Sequence, residues 1–357
     1  MLAINQIPII KLKGTSRQMG HQHGESLRTQ IHALYAIRLQ NALDHAIKHQ
    51  GRTANEADFL SISRASLALQ MNYDKETYFE VLGICEGANI SKEKLFALQG
   101  LTDFRDSLTW GQADEGCTVL GFQKDKIIDS HHLTAQTWDL GHDNMPYVIG
   151  MIREPKEGPK TASLTVCGGL NMAGLNEYGI ACLTNNLKST DSQSGIPYLS
   201  LMHKALKQDT FAKAIECIKG ASRAGAHFYL ITDSEGLSQG IEALPNNHRI
   251  IAYKDNFLVH TNHLLHPDLQ ELEAYKPQSS TLARLTTAQT LCRPKQHSIS
   301  SIKHILGDRS QKENSINRQN GPDHISTNGA VIIDHKAAQL HLCRSYPNQA
   351  EWQIIQL

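Results

Sequence analysis

Over the first hundred residues the apolar positions recur every three or four places. Leu27, Ile31 and Leu34 lead on to Leu39, Leu43 and Ile47, a spacing that turns one helical face toward a core. Phe59, Leu60, Ile62, Leu67, Leu69 and Met71 predict a second helical run, and Phe79, Leu82, Ile84 and Cys85 a third. Residues 91–104 predict a further helix with Ser91 as its N-cap. Ahead of them, MLAINQIPIIKLKG predicts a strand.

Beyond Gly116 the texture changes. Short apolar or alternating runs bounded by Gly, Asn and Asp predict strands at 117–123, 127–136, 147–152, 162–166 and 178–184. Helices are predicted at 196–207 and 210–219, then strands at 226–232, 237–242, 248–253 and 257–261. Helices at 281–291 and 298–306 precede closing strands at 330–334, 338–343 and 352–356. The polar stretch 307–323 predicts a loop. Helices first, then strand runs with paired helices, indicate an α+β chain rather than a βαβ repeat.

The 357 residues are ample for a large buried core. Lys and Arg number 35, Asp and Glu 35. This balance argues against broad electrostatic attraction to nucleic acid or an anionic membrane, so neither is expected as a partner. No run approaches the roughly 20 apolar residues of a membrane span. The opening residues lack the basic leader and apolar run of a secretory signal, so a cytoplasmic location is expected.

Nineteen histidines raise a metal hypothesis. The clusters are HTNHLLH (260–266), GHQHG (20–24) and the pair His131–His132. On a strand that pair points to opposite faces, and three-residue spacing after a strand does not align side chains. No metal and no cofactor are expected. GxGxxG, the Walker loop and HExxH are absent. The GxSxG match at Gly236–Gly240 lies between two predicted strands, so Ser238 reads as part of a hairpin, not a nucleophile elbow.

Seven cysteines form no CxxC pair, and their number is odd. Cys117 stands apart because it begins the strand-rich region, directly after the polar run Asp114-Glu115-Gly116. Downstream come Ala135-Gln-Thr-Trp-Asp139, then Gly174-Leu-Asn-Glu-Tyr-Gly-Ile-Ala-Cys-Leu-Thr-Asn-Asn186, then His260-Thr-Asn-His263.

With these motifs in this order, the chain resembles the isopenicillin N acyltransferases (acyl-CoA:6-aminopenicillanic acid acyltransferases), which are N-terminal nucleophile hydrolases more distantly similar to bile salt hydrolases. GTSRQMGHQHG (14–24), GICEGANIS (83–91) and LTDF (101–104) complete the likeness ahead of Cys117. The resemblance implies a four-layer αββα sandwich. It also implies a precursor cut between Gly116 and Cys117 into a helical α-chain, 1–116, and a catalytic β-chain, 117–357, which together make one domain and stay associated.

In such an enzyme the Cys117 thiol attacks the Gly116 carbonyl in an N-to-S acyl shift, and water releases the leading segment. The freed α-amino group, of ordinary pKa roughly 7.7–8.0, then serves as general base for its own thiol. By resemblance Asp139 is the catalytic aspartate that orients this group. Asn262 is the oxyanion-hole asparagine, and Asn185 a second oxyanion donor. Asn176 and Gly179 read as turn residues.

The implied substrate is a small acyl amide, or an acyl-CoA with an amine acceptor; water or an amine takes the acyl group. Two departures from the family stand out. Thr327 occupies the place of a late arginine, a role not transferred to Arg344, and Gln136 replaces the arginine of bile salt hydrolases. The second departure argues against a bile-acid-like substrate, and the missing late arginine leaves open an alternative, a ligand-binding relative without catalysis.

Overall fold

The computed structural model describes residues 6–50, 53–108, 116–277, 279–321 and 323–357. The start of the predicted leading strand, residues 1–5, and the polar run 112–115 lie outside the described residues.

The leading segment forms strand β1 (Ile9–Gly14) and helices α1 (Ser16–Ser26), α2 (Arg28–Gln50), α3 (Glu56–Tyr73), α4 (Lys75–Ala88) and α5 (Lys92–Leu108). Polar caps set the starts. The Thr15 and Asn55 side chains accept from the main chain three residues on, and Ser91 Oγ accepts from Lys94 N at 3.3 Å.

The glycines of the first two leading motifs have a packing reason. Gly20 and Gly24 on α1 meet Gly83 and Gly87 on α4, one turn apart on each helix. A Cβ at any of the four would lie 2.1–2.2 Å from a backbone oxygen of the facing helix. Backbone therefore touches backbone, and only glycine fits.

The remaining strands are β2 (Gly116–Phe122), β3 (Leu133–Gly141), β4 (Val148–Pro155), β5 (Thr161–Val166), β6 (Ala173–Asn176), β7 (Ala181–Leu187), β8 (Ala226–Thr232), β9 (Ser238–Ala243), β10 (His248–Ile251), β11 (Phe257–His260), β12 (Ile325–Asp334), β13 (Gln339–Arg344) and β14 (Gln353–Gln356). Helices α6 (Tyr198–Ala205) and α7 (Phe211–Lys219) follow β7, while α8 (Ser279–Cys292) and α9 (Ile299–Leu306) follow β11. One sheet runs β1-β4-β5-β6-β7-β8-β9-β10 and the other β11-β2-β3-β12-β13-β14. Pairing is antiparallel throughout except between β1 and β4, which are parallel. The leading helices with α6 and α7 pack toward the larger sheet, and α8 and α9 cover the smaller one. The fold is thus α+β, two stacked sheets between helical layers.

Several elements differ from expectation. β3 starts at Leu133 rather than 127, because an isolated bridge at Ile127, a turn and a bend occupy the intervening residues. His131 falls in that bend and His132 just after it, not on a strand: His131 Nε2 is 3.3 Å from Asp334, and His132 lies against Gly236. β6 went unpredicted; its four residues are too few to show a period. In the polar stretch 307–323, Ser315, Ile316, Asn317 and Arg318 are buried. Ser238 begins β9 directly after the β8–β9 turn, a hairpin as read. Among the described residues no helix is long and apolar enough to cross a membrane.

A buried ionic cluster joins the leading helices to the sheet. Arg153 on β4 donates to Glu80 on α4 at 2.7 Å and to Asn171 at 2.6 Å. His203 on α6 lies 3.2 Å from the other Glu80 oxygen. Burial alone would raise the Glu80 pKa, but Arg153 and then His203 outweigh it and hold the carboxyl far below its ordinary range. Its contribution is therefore complete above the unfolded value of about 4.3 and is lost as pH falls toward the depressed native one. Glu80→Gln is expected to destabilise the fold by about 3–5 kcal/mol at neutral pH, because it leaves Arg153 buried without its counter-charge. It should also flatten the acid limb of stability between pH 5 and 3; urea unfolding across that range reads both effects, and an unchanged acid limb would refute the assignment.

Candidate active site

Cys117 sits at the start of β2, 5% exposed, between the edge strand β11 and β3. The β2–β3 register sets Gly116 opposite Asp139 and Cys117 opposite Trp138. A Cβ on Gly116 would lie 2.8 Å from Asp139 Oδ2 and 3.3 Å from Arg284 Nη2. Glycine here lets the carboxylate approach the peptide that precedes the cysteine.

Just past β11, Asn262 reaches back to the same point. Its Oδ1 accepts from Cys117 N at 2.8 Å, and its Nδ2 donates to the Asn186 carbonyl at 2.9 Å. The loop that carries it is fastened by its neighbours. His260 stacks on Phe228 at 3.9 Å and meets buried Glu242 at 3.0 Å. Glu242 also accepts from His266 N, while the Asn262 N–H donates to Thr281 Oγ1 on α8. His263 Nδ1 lies 2.9 Å from that same Thr281 oxygen. Burial lowers the His263 pKa to about 4, so the ring is neutral near pH 7. His260 and His263 thus serve as struts. Among the described residues no group of three or more His, Cys, Asp or Glu side chains is placed to hold a metal ion.

Asp139 is fully buried. Its Oδ1 accepts from Thr327 Oγ1 on β12 at 2.7 Å, and its Oδ2 has no hydrogen-bond partner among the described residues. Burial raises its pKa, opposed by Arg284, Arg318 and the Thr327 hydrogen bond. Thr327, at the position where the resemblance implied an arginine, therefore holds the aspartate. Arg344 is elsewhere on β13, donating to the Pro146 carbonyl.

The cation that touches Cys117 and Asn262 is Arg284, which sequence reasoning missed. It is 1% exposed, donates to the Cys117 carbonyl and Thr118 Oγ1, and reaches Asn262 Oδ1 at 2.9 Å. Burial lowers its pKa to about 10, which leaves it charged near neutrality. A signal did exist: Ser280, Arg284, Ala288 and Cys292 recur every four residues as one buried face of α8. An arginine in a stripe of small residues is a cation directed inward.

Gly116, Cys117, Asp139 and Asn262 thus converge. Asn185 does not join them. Its Nδ2 donates to the His260 carbonyl at 2.7 Å, on the face opposite its strand neighbours. Those neighbours, Thr184 and Asn186, border a cavity of about 20 Å³ together with Cys117, Trp138, Asp139 and His227. Thr102 and Leu140 separate it from a wider cleft of about 290 Å³, lined by Arg38, Lys48, Asp143 and His324 among others. The turn residues fall as read: Gly179 has φ +83°, and Asn176 Oδ1 accepts from Tyr178 N and Ile180 N.

All seven cysteines are free thiols. Burial pushes the other six upward, Cys217 to about 11, Cys85, Cys167, Cys292 and Cys343 to about 12, and Cys182 well above the ordinary thiol value.

No curated protein matches the sequence. Solved structures that resemble the chain include penicillin V acylase from Agrobacterium tumefaciens, at 14% identity and TM-score 0.44 over 68% of this chain and 86% of that one. Another is a mutant of conjugated bile acid hydrolase from Clostridium perfringens, at 13% identity and TM-score 0.46 over 68% and 92%. At these values the likenesses carry no weight in assigning an activity. A model of the family described as acyl-coenzyme A:6-aminopenicillanic acid acyl-transferase matches residues 129–349. That span contains Asp139, Asn185, Asn262, Arg284 and Thr327, and it begins after Cys117, so the cysteine stands on its own geometry. By this match over more than half of its length, the chain belongs to the acyl-coenzyme A:6-aminopenicillanic acid acyl-transferase family.

Proposed function

We propose that the chain is a self-processing thiol enzyme that cleaves a small amide or thioester through an acyl-enzyme on Cys117. The observation that carries this reading is the placement of Asn262 Oδ1 on Cys117 N with Asp139 across the strand at Gly116. The thiol attacks the Gly116 carbonyl, the acyl group passes from nitrogen to sulfur, and water releases residues 1–116. The new α-amino group keeps Asn262 Oδ1 as acceptor and gains a carboxylate beside it in Asp139. It then takes the thiol proton as substrate is attacked.

Asn262 Nδ2 supplies one oxyanion donor in this scheme. The second is better placed at Asn186, beside the cavity, than at Asn185, which lies on the opposite face of the same strand. Arg284 fixes the Cys117 carbonyl and Asn262 together. The wider cleft draws its walls from both segments and is rich in charged and polar side chains, which suits a small polar acyl amide or an acyl donor with an amine acceptor. The two chains remain associated after the cut, in the cytoplasm, without nucleic acid or membrane as partner.

Intact-mass spectrometry of the purified protein tests the reading. Two species of about 13 and 27 kDa are expected from the 39.6 kDa chain, the larger beginning at Cys117. A single uncut species would refute self-processing. Small N-acyl amines and acyl-CoA donors should then be screened with and without amine; product that requires the amine marks transfer rather than hydrolysis.

A further inference from the structure

The cavity beside Cys117 has a wall that the chemistry above leaves idle. His227 on β8 lies opposite Asn186 on β7, and both border the cavity with Thr184 and Tyr198. The imidazole is 2% exposed. Its Nε2 is 2.6 Å from Asp103 Oδ1, while its Nδ1 is buried without a hydrogen-bond partner among the described residues.

The pair is held on several sides. Asp103, on α5, is 1% exposed, and its Oδ2 accepts from Tyr198 N at 2.9 Å. The Tyr198 ring stacks on the imidazole at 4.6 Å and 22°. A carboxylate that accepts from Nε2–H fixes the tautomer and leaves the Nδ1 lone pair as an acceptor. The cavity volume of about 20 Å³ exceeds the 10–15 Å³ or so that a water molecule requires. An oriented base, a nucleophilic cysteine and room for one small molecule thus share a cavity.

From this arrangement we infer that His227 is the base of the second half-reaction, which rests on the acyl-enzyme reading above. Nδ1 binds the acceptor, water or an amine, and takes its proton as it attacks the thioester on Cys117. A bond forms between the acceptor oxygen or nitrogen and the acyl carbon, and the carbon–sulfur bond breaks. The proton then passes from Nδ1 to the departing thiolate, restoring the thiol and the neutral imidazole. Asp103 stabilises the transient imidazolium. The α-amino group serves acylation, and His227 serves deacylation. Titratable groups facing the ring are Asp103 of α5, Tyr198 of α6, Tyr229 of β8, and Cys117 and Asp139 across the cavity.

The probe is p-nitrophenyl acetate, mixed with processed wild type and with His227→Gln. Because self-cleavage ends in hydrolysis of a thioester on the same Cys117, the variant should process itself more slowly; once fully cut, it should release a nitrophenolate burst of one equivalent. Its steady turnover should then fall on the order of 100-fold or more, with acetylated Cys117 accumulating in the intact mass. The pH dependence of deacylation should lose one ionisation, and added imidazole should restore turnover to His227→Ala. Deacylation within about twofold of wild type, or equal loss of burst and turnover, would overturn the inference. If His227→Gln does not accumulate folded, Asp103→Asn replaces it; a normal burst with about tenfold slower deacylation is expected, and unchanged deacylation overturns the inference. A wild type that gives neither burst nor adduct at Cys117 defeats the acyl-enzyme reading itself.

Discussion

Cys117→Ala is expected to accumulate as a single 39.6 kDa chain, to form no acyl adduct and to lose turnover by about 10⁴-fold or more. The substitution removes one buried atom from a strand that stays paired on both edges, so the stability cost should be about 1 kcal/mol. Whatever is lost is therefore chemistry rather than fold. No other cysteine can stand in, since burial suppresses the thiolate at each of the remaining six. Comparison of intact masses and melting curves for wild type and variant checks both halves. A variant chain that still divides at 116/117 would place the cutting chemistry elsewhere.

Gly83→Val should be the most damaging substitution far from the site. The added Cβ would lie 2.1 Å from Arg17 O and 2.8 Å from His21 N, both main-chain atoms of α1, which no side-chain rotation can move aside. The helices must separate, and α4 carries Glu80 of the buried cluster. A loss of about 3 kcal/mol or more is expected, read by urea or thermal unfolding. Gly321→Ala is the control. Its nearest neighbour lies 3.7 Å away, so its effect should stay within about 0.5 kcal/mol. Equal melting of the two variants would show that α1 and α4 are not locked by contact.

The glycines of α1 and α4 were visible in the sequence as motifs, while their reason was not, because it lies in the partner helix. Strand alternation was legible in β7, yet the motif alone could not tell which of Asn185 and Asn186 faces the cavity; a shift of one residue reverses the face. Periodicity located the leading helices and most strands, and failed where polar residues enter a strand for a purpose. The Ser326-Thr-Asn328 start of β12 reads as loop, but Thr327 is there to hold Asp139. Arg284 and His227 escaped notice for the same reason: their partners lie 167 and 124 residues away in sequence. Long-range polar pairing leaves no local pattern to read.

The same separations impose an order in time. Asn262 is 145 residues beyond Cys117, Arg284 is 167 beyond it, and Thr327 is 188 beyond Asp139. At about 5–20 residues per second, translation delivers these contacts roughly ten seconds or more after the cysteine has been made. A nascent chain cannot assemble the environment of its own Gly116–Cys117 junction, and a truncated one never will. The architecture therefore acts as a completeness check, withholding the surroundings of Cys117 until residues beyond 327 have been made.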